Sequence, residues 1–256
     1  MKNNQMPQPL LSVCIPVYDE QDNLPLLHEA ICKAVDPAGI ATEIIFVDDG
    51  SKDQSWSVIE QLVLKDSRVR GIKFAFNCGE TAASDAGMRN ARGAYVMTMD
   101  ADLQNDPSDI PAFIAAMKPG VDCVCGTRVA VRGKGDQFVK VVSSRIANWV
   151  RNKLSDEQIS DAGCTYRCIR RECLSNIKLY RGLHRFIPTL LKMEGYTVVE
   201  IPVSNNPRVH GESKYGVWNR LFKSFRDLLA IRWMKSRILG WKIAVELDRS
   251  KQAEAA

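Results

Sequence analysis

Two carboxylates one residue apart, Asp100 and Asp102, followed by the amide of Gln104, form the segment of this chain best suited to chemistry. They follow the apolar, β-forming run 94–98, which reads as a buried strand. Two carboxylates at the end of a buried strand cannot both ionise cheaply without a cation nearby. A hard divalent ion held by oxygens relieves that repulsion and keeps coordination positions open for phosphate. Asp-x-Asp is therefore a candidate metal–diphosphate anchor. An acidic turn after a strand is also common, so the rest of the chain has to support the reading.

The elements that must position these residues alternate through the first half. Residues 10–18, 43–47, 69–75, 94–99 and 121–126 read as strands, and 24–35, 56–64, 81–91 and 107–117 as helices. This alternation predicts βαβ units and a mainly parallel sheet. In such sheets ligands sit beyond the carboxyl ends of the strands. The chemistry-bearing residues gather there: Pro16, Tyr18 and Glu20 after the first strand, Asp48 and Asp49 after the second, Asp100 and Asp102 after the fourth, Arg128 after the fifth. The second half is less regular, with a Gly- and Lys/Arg-containing loop at 129–137, helices at 138–154 and 186–193, and strands at 165–169 and 197–203.

The chain has 256 residues, 45% hydrophobic and 25% charged, enough for one large domain with a core. A net charge of +5 does not by itself argue for nucleic acid, and no motif for it is present. The N-terminal residues 1–9 lack the apolar stretch of a signal peptide, and no run reaches the roughly 18 apolar residues of a membrane span. A cytoplasmic location is expected. The eight cysteines fit it as buried thiols; the spacing of Cys164, Cys168 and Cys173 matches no usual zinc pattern.

Four motifs in order carry a resemblance: Ser12 to Glu20 (SVCIPVYDE), Val47 to Asp53 (VDDGSKD), Asn77-x-Gly79 with Gly87 and Ala91-Arg92-Gly93, and Asp100 to Gln104 (DADLQ). Together they resemble family 2 glycosyltransferases of the GT-A fold over roughly residues 10–130. Later segments extend it to about residue 235: Gly126-Thr127-Arg128, Asp161-Ala162-Gly163-Cys164 and Pro207 to Tyr215 (PRVHGESKY) look like polyprenyl-phosphate hexose synthases of the dolichol-phosphate mannose synthase type. The resemblance implies an α/β GT-A catalytic domain over 10–216, polar tails at 1–9 and 248–256, and a helical extension between.

The implied reaction is an inverting single displacement of a hexose from GDP-mannose or a UDP-hexose onto a dolichyl or undecaprenyl monophosphate. Charge builds on the leaving diphosphate, where a metal and cationic side chains stabilise it. The nucleophile is already an anionic phosphate oxygen, so no strong base is required. By resemblance, Pro16, Tyr18, Glu20, Val47 and Asp49 hold the nucleotide; Asp100, Asp102 and Gln104 hold Mg²⁺ or Mn²⁺; Ala101 presents its backbone. Strand packing is the plainer explanation for Pro16 and Val47, as helix capping or a turn contact is for Asp48, Ser51 and Asp53. Arg128 stands where it can bind phosphate bidentately, with a surface ion pair as the alternative. Arg208 and Lys214 lie in a loop able to close over phosphate, and Arg185 is a further cation, with His184 beside it a structural residue as readily as a ligand. Arg132 and Lys134 could reach the lipid phosphate or be a solvated charge run.

Residues 217–247 mix Trp218, Phe222, Phe225, Leu229, Trp233 and Trp241 with seven Lys and Arg, against Asp227 and Glu246. A basic amphipathic helix of this kind lies on anionic membrane, which a lipid acceptor demands; packing on the catalytic domain is the alternative. The expected protein is peripheral at the cytoplasmic face, with a membrane-protein partner possible. Two other functions fit the same motifs: a family 2 enzyme acting on a saccharide or protein hydroxyl, with Asp161 as its base, or a non-catalytic nucleotide-sugar-binding subunit.

Overall fold

The structure, a computed structural model, describes residues 8–129, 160, 161, 163–206, 217–240, 244 and 245, with side chains in the last helix from Phe225 onward. The expected helix at 138–154, Arg132, Lys134, Arg208, Lys214 and Trp241 lie outside the described residues.

The chain runs β1 (Leu11–Val17), α1 (Leu24–Val35), β2 (Thr42–Asp48), α2 (Ser55–Lys65), β3 (Val69–Lys73), α3 (Glu80–Arg89), β4 (Tyr95–Thr98), a 3₁₀ turn (Pro107–Asp109) leading into α4 (Ile110–Ala116), β5 (Cys123–Thr127) and β6 (Arg167–Arg170). Two further 3₁₀ turns (Arg171–Asn176 and Leu183–Phe186), α5 (Ile187–Met193), β7 (Val198–Pro202) and α6 (Val217–Lys235) follow. The strands form one seven-stranded sheet in the order β3-β2-β1-β4-β6-β5-β7. All neighbours pair parallel except β6, which runs antiparallel between β4 and β5. The expected mainly parallel α/β sheet is present; the reversed β6 inside it is an addition to that expectation.

Alternation along the strands divides the core between the two faces of the sheet. Leu11, Val13, Ile15 and Val17 of β1 join Ile44 and Phe46 of β2 against α1, α2 and α4. Cys14, Ile45 and Val47 face the other way, toward Ala83 and Met88 of α3, Ile187 and Leu191 of α5, and Leu228 and Ile231 of α6. Burial on both sides explains why β1 and β2 read as nearly unbroken apolar runs.

Successive strands step from β1 to β2 to β3, and the chain then returns to place β4 on the other side of β1. The strand order reverses between β1 and β4, and their carboxyl ends diverge into a crevice. The motifs after β1 and β4 therefore meet where the sheet's topology leaves room for a ligand.

Candidate active site

The loops leaving β1 and β2 are laced together by their own polar side chains. The Asp19 N–H donates to Ser51 Oγ (3.0 Å), the Lys52 N–H to Asp19 Oδ1 (2.7 Å), the Glu20 N–H to Ser55 Oγ (2.9 Å) and the Gln21 N–H to Asp53 Oδ2 (3.2 Å). Asp19 pays for this register with a left-handed backbone, φ 52°. Ser51, expected as a cap, is a crosslink between loops, and Gln54, at the N-cap position of α2, makes no side-chain cap bond. Asp53 serves both the turn, through Ser55 N–H (2.9 Å), and the crosslink. Glu20 is half-buried and accepts from Asn23 Nδ2 (2.6 Å); Tyr18 and Pro16 are half-buried beside it.

Asp48 contacts its turn as expected, accepting from Ser51 N–H at 3.1 Å. Its second oxygen is buried and has no hydrogen-bond partner. Asp49, also buried, receives Cys78 N–H (2.6 Å), Gly79 N–H (2.9 Å) and Asn77 Nδ2 (3.0 Å). Burial and the neighbouring Asp48 raise its pKa, and the two backbone donors work against that rise. The Asn77-x-Gly79 motif is thus the clamp on Asp49. Val47 is fully buried in the core between β1 and β3, where strand packing accounts for it.

Beyond β4, Asp100 accepts from Thr165 Oγ1 (2.6 Å), while its own N–H donates to Asn105 Oδ1 (3.1 Å). Burial raises the Asp100 pKa and the like charge of Asp102 adds to it; the Thr165 bond, Arg128 and Arg167 pull it down. Asp102 is buried and accepts from Gln104 N–H (3.2 Å) across a turn with Leu103 at φ 62°. Ala101 is buried and Gln104 half-buried. Two neighbouring acids, one with its charged form disfavoured, and an amide oxygen make an oxygen-rich donor set that suits Mg²⁺ or Mn²⁺.

Arg128, at the exit of β5, is held by Asp161: Nε donates to Oδ2 (2.7 Å) and Nη2 to Oδ1 (3.2 Å), with side-chain exposures of 17% and 1%. Arg128 is therefore ion-paired, but in a buried pair instead of the surface pair expected as the alternative, through a partner 33 residues away. Nη1 takes no part in the pair.

A small pocket at the β1/β4 crevice is lined by Pro16, Thr98, Asp100, Thr165, Arg167 and His184, among others. Arg167 was not anticipated. The residue is 2% exposed, and its guanidinium donates to the carbonyls of His184 (2.7 Å) and Cys164 (2.8 Å) and leaves Nε without a partner. His184 lies 2.7 Å from Thr81 Oγ1, which also accepts the Gly182 N–H. Glu80 Oε1 lies 3.3 Å from Nε2, so a neutral ring places its proton on Nε2 and accepts from Thr81 Oγ1 at Nδ1. Burial, with Arg185 and Arg167 nearby, pushes the His184 pKa down to about 3. His184 is a neutral structural link, and its neighbour Arg185 is half-buried.

A largely parallel sheet with paired acids at its switch point is the architecture of GT-A glycosyltransferases. The mannosyltransferase PcManGT from Pyrobaculum calidifontis, solved with GDP-Man and Mn²⁺, superposes with a TM-score of 0.63 at 19% identity, over 92% of this chain and 66% of its own. Glucosyl-3-phosphoglycerate synthase from Mycobacterium tuberculosis, solved with Mn²⁺, UDP and phosphoglyceric acid, gives 0.66 at 16%, over 93% and 82%. The sequence model for glycosyl transferase family 2 matches residues 12–178, and the chain belongs to that family. An undecaprenyl-phosphate 4-deoxy-4-formamido-L-arabinose transferase from Aeromonas hydrophila is 35% identical over 209 residues, 81% of this chain and 63% of the relative. A dodecaprenyl-phosphate galacturonate synthase from Rhizobium johnstonii is 32% identical over 225 residues, 86% and 66%. The chain thus spans just under two thirds of the length of these two relatives.

Proposed function

We propose that the chain transfers a sugar from a nucleoside diphosphate sugar to a polyprenyl monophosphate, with inversion at the anomeric carbon. The observation that carries this reading is the convergence of Asp100, Asp102 and Arg128 at the carboxyl edge of the sheet, with Asp161 locked to Arg128. A hydroxyl acceptor needs a base with a free carboxylate. Asp161, the carboxylate offered for that task, is 3% exposed and engaged on both oxygens. A lipid phosphate needs no such base, because its attacking oxygen is already charged. The names of both curated relatives contain a polyprenyl phosphate, but their sugars differ, so the acceptor class is the firmer part of the proposal.

Asp100, Asp102 and Gln104 would hold Mg²⁺ or Mn²⁺, which when bound offsets charge on the leaving diphosphate. Thr165 fixes the rotamer of Asp100 through their 2.6 Å bond. Arg128 brings a cation to the same edge, oriented by Asp161, with Nη1 toward phosphate. The clamp on Asp49 fixes the β2 exit against which base and ribose would lie, and the unsatisfied Asp48 oxygen would accept an N–H. Arg208, Lys214 and Arg185 would add charge to the phosphate region.

No described helix is long and apolar enough to cross a membrane. In α6, Leu228 and Ile231 pack into the core, while Phe225, Leu229 and Trp233, one turn apart in succession, are 49%, 46% and 63% exposed. Arg226 and Arg232 are exposed between them. The packing reading accounts for the inner face of this helix, and the outer face would rest on anionic lipid at the cytoplasmic surface.

The test is a transfer assay with undecaprenyl phosphate in detergent, a panel of GDP- and UDP-sugars, and Mn²⁺ or Mg²⁺. An EDTA-sensitive glycolipid is expected, and Asp102→Asn should lower its rate at least about a hundredfold. Metal-dependent donor binding without glycolipid would overturn the acceptor assignment; full activity in Asp102→Asn would overturn the metal site.

A further inference from the structure

At the opposite edge of the sheet, His28 and Cys32 stand one helical turn apart on α1, and Asp66 follows the last residue of α2. Among the described residues, theirs is the one group of His, Cys and acidic side chains in which three ligand atoms converge within 4.8 Å. His28 Nε2 lies 2.9 Å from Asp66 Oδ2, Cys32 Sγ lies 3.6 Å from His28 Nε2, and Cys32 Sγ lies 3.8 Å from Asp66 Oδ2. Tetrahedral zinc with ordinary bond lengths places sulfur about 3.6 Å from nitrogen or oxygen, and nitrogen about 3.3 Å from oxygen. The triangle needs adjustments of only a few tenths of an ångström. His28 is buried and Asp66 has a side-chain exposure of 13%, so two of the three atoms sit on ordered side chains.

A cation already sits at this triangle. Arg68 Nη2 lies 2.9 Å from Asp66 Oδ2 and 3.1 Å from Cys32 Sγ, so it engages two of the lone pairs a metal would take. The same guanidinium is paired through Nη1 with Asp36 and is 33% exposed, so it has a second anchor and room to swing outward. One nitrogen, one sulfur and one carboxylate oxygen form a mixed set that suits a borderline ion better than Mg²⁺ or Ca²⁺.

We propose that His28, Cys32 and Asp66 form a zinc site, with water as the fourth ligand, in which the ion replaces the Arg68 guanidinium and ties α1 to the α2–β3 turn. Binding releases the Cys32 thiol proton to solvent, and the imidazole binds through Nε2 with its proton on Nδ1. This site is separate from the oxygen-only set of Asp100, Asp102 and Gln104, and does not depend on the transfer reaction.

Cobalt distinguishes the two sites, because only a thiolate ligand gives a near-ultraviolet sulfur-to-metal charge-transfer band. The full chain, stripped with EDTA and titrated with Co²⁺, is expected to develop that band to one equivalent and lose it on adding one equivalent of Zn²⁺. Asp102→Asn should retain the band. Cys32→Ser should abolish it, and His28→Gln should weaken cobalt binding at least tenfold. Arg68→Met, which removes the competing cation, should tighten binding several-fold. Zn²⁺ should raise the melting temperature of wild type and not that of Cys32→Ser. No charge-transfer band in either wild type or Arg68→Met, or a band that survives in Cys32→Ser, overturns the proposal.

Discussion

Replacing Asp161 with Asn separates the two acceptor chemistries that the sequence leaves open. The pair it breaks is bidentate, at 2.7 and 3.2 Å, with Asp161 1% and Arg128 17% exposed at the side chain. Removing one member of a buried pair typically costs about 3–5 kcal/mol, because the other charge is left without compensation. Arg128 retains some access to water, which puts the expected loss near the lower end, about 3 kcal/mol. In a domain of this size each kcal/mol lowers the melting temperature by about 2–4 °C, so a fall of about 6–12 °C is expected. Denaturant unfolding of wild type, Asp161→Asn, Arg128→Gln and the double variant measures this directly. The double variant should recover to within about 1 kcal/mol of wild type, since neutral groups replacing a buried pair are often tolerated. Its transfer activity should stay low if Arg128 acts at the phosphate as proposed. If Asp161 were instead a base for a hydroxyl acceptor, Asp161→Asn would keep the wild-type midpoint while its turnover dropped at least about a hundredfold. That result would refute the argument from the ion pair.

Three other perturbations test separate parts of the structure. The His184 pKa is about 3 when folded and near 6.5 ordinarily, so between those values only the unfolded chain binds the proton. Stability from this group is therefore lost on acidification below about pH 6.5, by up to about 1.4 kcal/mol per pH unit, and His184→Gln should flatten that slope in pH-dependent denaturant melts. Replacing Leu229 and Trp233 by Ser should reduce binding to anionic vesicles at least about tenfold in a sedimentation assay while leaving the melting temperature near wild type, since both are outward-facing. Gly50 has φ +70° and a Cβ there would lie 2.8 Å from the backbone of Phe76 and Asn77, so Gly50→Ala should cost about 3 kcal/mol in denaturant unfolding and weaken nucleotide binding by displacing the clamp on Asp49.

The parts of this molecule that can be read from its sequence are those fixed by local pattern. Strands β1, β2 and β4 are apolar runs ending in turn residues, and α1 occupies residues 24–35 as its periodicity predicts, with Leu24, Leu27, Ile31 and Val35 on one buried face. The grouping of acids at one edge follows from the same pattern, because a parallel sheet puts every strand exit on the same side. Local pattern fails where a partner comes from far along the chain. β6, Arg167–Arg170, is legible as a strand at 165–169, but its antiparallel place between β4 and β5 is not. Arg167 is readable as a surface cation until the carbonyls of Cys164 and His184 are seen to receive it. The expected helix at 107–117 begins as a 3₁₀ turn, where Asp106 accepts Ser108 N–H and a second proline, Pro111, follows four residues after Pro107. The pairing of Arg128 with Asp161 and the convergence of His28, Cys32 and Asp66 have the same origin: each joins elements that only the packed sheet brings together. Residue types name the available chemistry, but the identity of a side chain's partner is decided by long-range packing. For Arg128 that choice fixes the orientation of the guanidinium through Asp161.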